Sequence, residues 1–176
     1  MTKIKGGVTD AHVVATADLD NDGDIDVISA AYTGGKILWH VNDGSPGDAV
    51  WTTYEIATPT KPTSLFPVDI DYDGDIDIVS SAETGSSANG KVRWYVNDGT
   101  PDAGWTTKNI ASSINRPAST FVADMDGDGN LDVVSAAYAG DEINWYENSG
   151  AAIPEFSNIL MPIVSVLAII GFRRRH

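Results

Sequence analysis

The feature that most constrains this chain is a nine-residue acidic run that occurs three times in one sequence context. The runs are DLDNDGDID (Asp18 to Asp26), DIDYDGDID (Asp69 to Asp77) and DMDGDGNLD (Asp124 to Asp132). Each leads into a stretch rich in β-branched and small residues: VISAAYTGG, IVSSAETGS or VVSAAYAGD. A tryptophan segment follows: KILWHVNDG, KVRWYVNDG or EINWYENSG. From the first Asp of a run to that Trp is 21 residues in the outer units and 25 in the middle one, and from Trp to the next run is 30 both times. The unit is therefore about 51 residues long, with an insertion near Ser86-Ser87-Ala88-Asn89 in the second copy. Self-similarity at this period marks a repeat architecture in which neighbouring units bury each other.

Within each unit the pattern predicts about four strands. The first enters the acidic run (Val13 to Ala17, Leu65 to Val68, Thr120 to Ala123) and the second leaves it (Ile25 to Ala31, Ile76 to Ala82, Leu131 to Ala137). The third carries the Trp and alternates, with Ile37, Trp39 and Val41 on one face and Leu38 and His40 on the other. Asn-Asp-Gly turns end it in two units, and the Trp-Thr-Thr segments at Trp51 and Trp105 supply the fourth. Four short antiparallel strands per unit is the pattern of a propeller blade, and no helical periodicity precedes residue 158. The expected fold is all-β: three blades of a partial or open propeller, plus a short C-terminal hydrophobic helix. Residues 1–150 form the repeats (about 1–56, 57–110 and 111–150), and 151–176 form a linker and a terminal segment.

The third unit has no fourth strand in its pattern. Ile4 lies 14 residues before Asp18, as Ile110 lies 14 before Asp124, so Met1 to Ile4 matches a fourth strand without its own blade. A propeller typically has four to eight blades. The expectation is that further blades exist, or that the chain completes its ring by self-association.

The acidic runs follow D-x-D-x-D-G-[DN]-x-D. Carboxylates at positions 1, 3 and 5 of a tight loop can converge, because glycine at position 6 permits the sharp turn. Position 7 offers a backbone carbonyl and position 9 a further carboxylate. The candidate metal ligands are Asp18, Asp20, Asp22, Asp24 (carbonyl) and Asp26; Asp69, Asp71, Asp73, Asp75 (carbonyl) and Asp77; and Asp124, Asp126, Asp128, Asn130 (carbonyl) and Asp132. An all-oxygen set suits Ca²⁺, which takes six to eight oxygens at about 2.3–2.6 Å, better than Zn²⁺, copper or iron. Mg²⁺ fits less well, since it keeps its waters and demands octahedral geometry. About three ions are expected, one per loop. A merely soluble acidic turn is the competing reading, but carboxylates packed this densely repel one another without a cation. An EF-hand is excluded, because position 12 is Ser29, Ser80 or Ser135 rather than a bidentate Glu, and no helices flank the loop.

These loops, together with the Trp-x-x-Asn-[Asp/Ser]-Gly strands, resemble FG-GAP/VCBS repeats, the calcium-loop blades of integrin-α-type propellers. The resemblance covers about residues 1–150. It lacks the Phe-Gly and Gly-Ala-Pro signatures of that family. It implies a propeller with calcium in its outer loops and a role in adhesion or ligand binding at a cell surface, toward a protein or glycan ligand.

Composition excludes other classes. Twenty-five acidic residues against 11 basic ones give a formal net charge of -14, which repels nucleic acid. With no cysteine there is neither a disulfide framework nor a thiolate metal site. Met1 to Gly7 contains no apolar run of the secretory type. No nucleophile elbow, HExxH, P-loop or dinucleotide fingerprint occurs, so no enzyme activity and no catalytic residue are expected. A hidden glycosidase or lyase pair requires a carboxylate outside the loops, such as Glu83, Glu142 or Glu147, titrated upward. Trp39, Trp94 and Trp145 recur at matched positions, as do Trp51 and Trp105, and matched recurrence points to packing between blades rather than to sugar stacking. Tyr32, Tyr95 and Tyr138 are the aromatics expected on a ligand-facing surface. His12, His40 and His176 are scattered and suggest no dyad.

After Gly150 the composition changes. Pro154-Glu155-Phe156 precedes an apolar run from Ile159 to Phe172, and Arg173-Arg174-Arg175-His176 closes the chain. Fourteen helical residues span about 21 Å, short of a bilayer core of about 30 Å; starting at Phe156 narrows the gap. The arginines would stay cytoplasmic and the repeats outside. This tripartite tail resembles PEF-CTERM sorting signals of archaeal surface proteins. The resemblance implies an archaeosortase-type processing partner acting near Pro154, Glu155 and Phe156, and membrane or lipid anchoring at the cell surface.

Overall fold

A computed structural model describes residues 3–45, 47, 51–85 and 89–150. The predicted C-terminal helix, the Pro154-Glu155-Phe156 motif and most of the middle insertion lie outside the described residues. Among the described residues no helix is long and apolar enough to cross a membrane.

Eleven strands run in chain order: β1 (Ala11–Ala17), β2 (Asp26–Ala31), β3 (Lys36–His40), β4 (Thr53–Ala57), β5 (Phe66–Val68), β6 (Asp77–Ala82), β7 (Gly90–Val96), β8 (Thr106–Ile114), β9 (Pro117–Ala123), β10 (Asp132–Ala137) and β11 (Glu142–Tyr146). They form three antiparallel meanders that do not close into a barrel: β1-β2-β3-β4, β5-β6-β7-β8 and β9-β10-β11. These are blades 1, 2 and 3 of a partial propeller. Each acidic loop is the β1–β2, β5–β6 or β9–β10 connection. Its closing pair is Ala17 with Asp26, Val68 with Asp77 or Ala123 with Asp132. Position 9 of every run is thus the first residue of the blade's second strand.

Because side chains alternate along a strand, each blade has two apolar faces. We call the one carrying the Trp its trailing face. Ile28, Ile37 and Trp39 of blade 1 pack against Ile78 and Tyr95 on the leading face of blade 2. Val79, Val92 and Trp94 of blade 2 pack against Val133, Ala137 and Tyr146 on the leading face of blade 3. The core therefore lies between blades rather than within one. Tyr95, expected on a ligand-facing surface, is buried. The residue after the Trp faces the opposite side of the sheet, and that side is covered too. Tyr32 is half-buried and Tyr138 exposed.

The segment leading into each blade follows one path. Asp10, Lys61 and Arg116 all have left-handed backbones. Their carbonyls accept the amides of Tyr32, Glu83 and Tyr138 at 2.9, 3.0 and 2.9 Å. At this end the blades are also joined by side chains. The Tyr32 hydroxyl donates to Glu83 at 2.6 Å, and Arg116 pairs with the other Glu83 oxygen at 3.3 Å. Burial alone would raise the Glu83 pKa, but these two donors outweigh it and hold the carboxyl below its ordinary value. That is the reverse of the upward shift a general acid needs.

Candidate metal centre

Three local features fold each acidic run into a cup. Position 6, at Gly23, Gly74 and Gly129, has φ of 94°, 98° and 92°, a region that glycine enters without steric cost. Position 4 is left-handed as well, at Asn21, Tyr72 and Gly127. Asn and Gly tolerate that conformation, whereas Tyr72 holds it at a cost of about 1–2 kcal/mol. The third feature is the carboxylate at position 1, which accepts two loop amides. Asp18 takes those of Asp22 and Gly23 at 3.1 and 2.9 Å, Asp69 those of Asp73 and Gly74 at 3.1 and 3.0 Å, and Asp124 those of Gly127 and Gly129 at 2.7 and 3.1 Å.

The cup brings positions 1, 3 and 5 together. One oxygen from each of Asp18, Asp20 and Asp22 lies within 4.8 Å of the others, and the same holds for Asp69, Asp71 and Asp73 and for Asp124, Asp126 and Asp128. Each triad can hold a metal ion. Burial, followed by the charges of neighbouring carboxylates, raises the pKa of Asp20 and of Asp71. Asp71 Oδ1 is buried and receives no hydrogen bond. An acceptor withdrawn from water and given no donor is costly unless a cation meets it. That orphaned oxygen fits a hard divalent ion, which would neutralise the triad and fix the turn between two strands.

Position 7 is secured differently. A Cβ on Gly44 would stand 2.9 Å from Asp24 Oδ2, one on Gly99 3.0 Å from Asp75 Oδ2, and one on Gly150 2.8 Å from the Asn130 side-chain amide. The glycine that ends each Trp strand makes room for the position-7 side chain and has positive φ in all three blades. The turn and the acidic loop are therefore one structural unit.

Position 9 lies close enough to the triads that the Asp26 charge acts on Asp20 and the Asp71 charge on Asp77, and it is also tied to the Trp strand. Asp26, Asp77 and Asp132 are fully buried. Asp26 accepts the Leu19 and Asn42 amides at 3.2 and 2.7 Å and the Trp39 indole N–H at 2.8 Å. Asp132 accepts the amides of Met125 and Asn148 at 3.0 and 2.8 Å. Asp77 accepts the Asn97 amide at 2.8 Å, and burial pushes its pKa up to about 7.

These contacts reveal residues that the motif reading missed. Asn42, Asn97 and Asn148 each give their amide to the position-9 Asp. Each also donates its side-chain NH₂ to the carbonyl before that Asp, at 3.1, 3.2 and 3.2 Å. Asn97 reaches further, to the Leu19 carbonyl of blade 1 at 3.1 Å, while Asn21 reaches Asp75 of blade 2 at 3.0 Å. The signal for them in the sequence is the constant spacing of Trp39 to Asn42, Trp94 to Asn97 and Trp145 to Asn148.

No curated protein matches the chain. The sequence profile of the FG-GAP-like repeat matches residues 18–80 and 81–135. The first match begins in the acidic loop of blade 1 and ends inside β6, so the repeat spans the junction between blades, where the core lies. With all three acidic loops inside the matched residues, which make up more than half of its length, the chain belongs to the FG-GAP-like repeat family.

Proposed function

We propose that this chain is a calcium-binding, non-catalytic recognition module displayed on a cell surface, its blades forming part of a propeller. The observation that carries the reading is the threefold convergence of Asp carboxylates on one point, with one oxygen left without a donor. Membership in the FG-GAP-like repeat family supports an extracellular adhesion or recognition role. In this proposal residues 1–150 are the recognition part, with a protein or glycan ligand. Residues 151–176 are a PEF-CTERM-type signal read by an archaeosortase-type enzyme, which leaves the protein anchored to an archaeal membrane.

Calcium titration by calorimetry, with thermal melting in chelator, tests the metal part. About three equivalents and a large rise in Tm are expected. An unchanged melting temperature at millimolar calcium would remove it.

A second reading, glycan binding, has one observation in its favour. A groove of about 360 Å³ between blades 1 and 2 is lined by Asp20, Tyr54, Thr100 and Asp102. Tyr54 stacks there on Trp39 at 5.1 Å. Trp39 itself is buried, which leaves Tyr54 as the platform. Glycan-array binding that is lost in Tyr54→Ala and kept by wild type would favour this reading.

A further inference from the structure

Blade 3 presents a trailing face that the described residues leave largely uncovered, with Phe66 of blade 2 meeting it only at Phe121, 5.0 Å away. Ile143 is 75% exposed and Trp145 44%, and Phe121 and Met125 are exposed beside them. Their counterparts in blade 2, Val92 and Trp94, are fully buried. Blade 1 presents the complementary leading face, on which Val14 is 70% exposed.

The segment before blade 1 lies on this leading face. Ile4, Lys5 and Val8 share a groove with Val14, Val27 and His40. The chain then turns at left-handed Asp10, as the connections from blade 1 to 2 and from blade 2 to 3 turn at Lys61 and Arg116. In those connections the residue matching Ile4 is Ile56 or Ile110, which lies within a blade's fourth strand and is buried in a junction between blades. Residues 3–10 are thus laid out as the connection arriving from a fourth strand, yet β3-β4 and β7-β8 are the only such pairs among the described residues, and β11 is an edge.

We propose that the trailing face of blade 3 is covered by the leading face of blade 1 from a second copy of this chain, whose N-terminal segment adds beside β11 as its missing fourth strand. The occupant follows from the molecule itself, because the same trailing-to-leading contact is already made twice within one chain. The contact is head-to-tail, so it must close into a ring or grow into a filament. Two of the three-blade arrays described here give six blades, inside the usual range of about four to eight. In the register of β7 with β8, Val92 lies opposite Ala111. The matching pair across the copies is Ile143 and Lys5.

The test uses the full chain in saturating calcium. Sedimentation velocity should give twice the 18.7 kDa chain mass, and Ile143→Asp should return it to one chain mass with an unchanged far-ultraviolet spectrum. The chain has no cysteine, so Lys5→Cys and Ile143→Cys chains can be mixed and oxidised. A disulfide between the two kinds of chain is expected, well above either variant alone. A wild-type monomer at every concentration overturns the proposal, because then the apolar tail or another polypeptide covers the face. A dimer that survives Ile143→Asp, or the absence of the mixed disulfide, overturns it equally. None of these outcomes depends on what ligand the module recognises.

Discussion

Blades 2 and 3 are built from nearly the same sequence and live in different surroundings. Trp94 and Trp145 occupy one position on equivalent strands; the first is fully buried and the second nearly half exposed. Blade 2 has a fourth strand, and Lys108 on it sits 4.0 Å above the Trp94 ring. Among the described residues, blade 3 has three strands with β11 at its edge. The acidic loops differ in the same sense: Asp69 and Asp71 are half-buried, while Asp124, Asp126 and Asp128 are all exposed. A repeat of this kind therefore supplies half an interface, and what a residue contributes depends on whether the next blade is present.

The largest difference is expected in the cores. Trp94→Ala should cost about 3–5 kcal/mol by urea unfolding, and Trp145→Ala less than about 1 kcal/mol in the monomeric chain. Equal costs would mean that Trp145 is covered in solution.

Next come the loops. Asp71→Asn removes a carboxylate from the more buried triad and Asp126→Asn one from the exposed triad. Loss of a site held at 100-fold its Kd removes about 2.7 kcal/mol. In a chelator titration followed by calorimetry, the site of loop 3 should empty first and that of loop 2 last. The reverse order would break the link between blade packing and metal affinity.

Smaller again is the Asn pair. Asn97→Ala loses side-chain bonds to Ile76 and to Leu19 of the neighbouring blade, whereas Asn148→Ala loses its side-chain bond to Leu131 within its own blade. At about 1 kcal/mol per bond, denaturant unfolding should separate the two by about 1 kcal/mol.

The smallest effect concerns blade 1. His40 stands where blades 2 and 3 have Tyr95 and Tyr146, and its ring meets Ser29 Oγ at 2.7 Å, as the Tyr146 hydroxyl meets Ser135 at 3.0 Å. Burial, then the nearby Lys5 charge, lowers the His40 pKa below its ordinary 6.5. The folded ring stays neutral where the unfolded one gains a proton. Stability is therefore full above about 6.5 and falls as pH drops through that value toward the folded pKa. His40→Tyr should flatten this slope in melts across pH 5 to 8.

Much of this was legible because it is local. Alternation put Ile37 with Trp39 and His40 on the other face. The Asp-Gly spacing located all three cups. The sequence misleads where a second partner intervenes. Tyr95 suits a surface aromatic because nothing in its own repeat covers it, but blade 1 buries it. The bonds that hold Asp26, from Leu19, Trp39 and Asn42 on three separate segments, are likewise hidden from any local pattern.

By itself the sequence determined the repeat, the strand faces, the acidic cups and the turn glycines. Each depends on residues within a few positions of one another, where backbone geometry and side-chain alternation leave little choice. Only the tertiary structure decided which copies of an identical pattern are buried and which donors from the Trp strand meet the position-9 Asp. Those outcomes depend on the neighbouring blade, and burial is a property of two surfaces together.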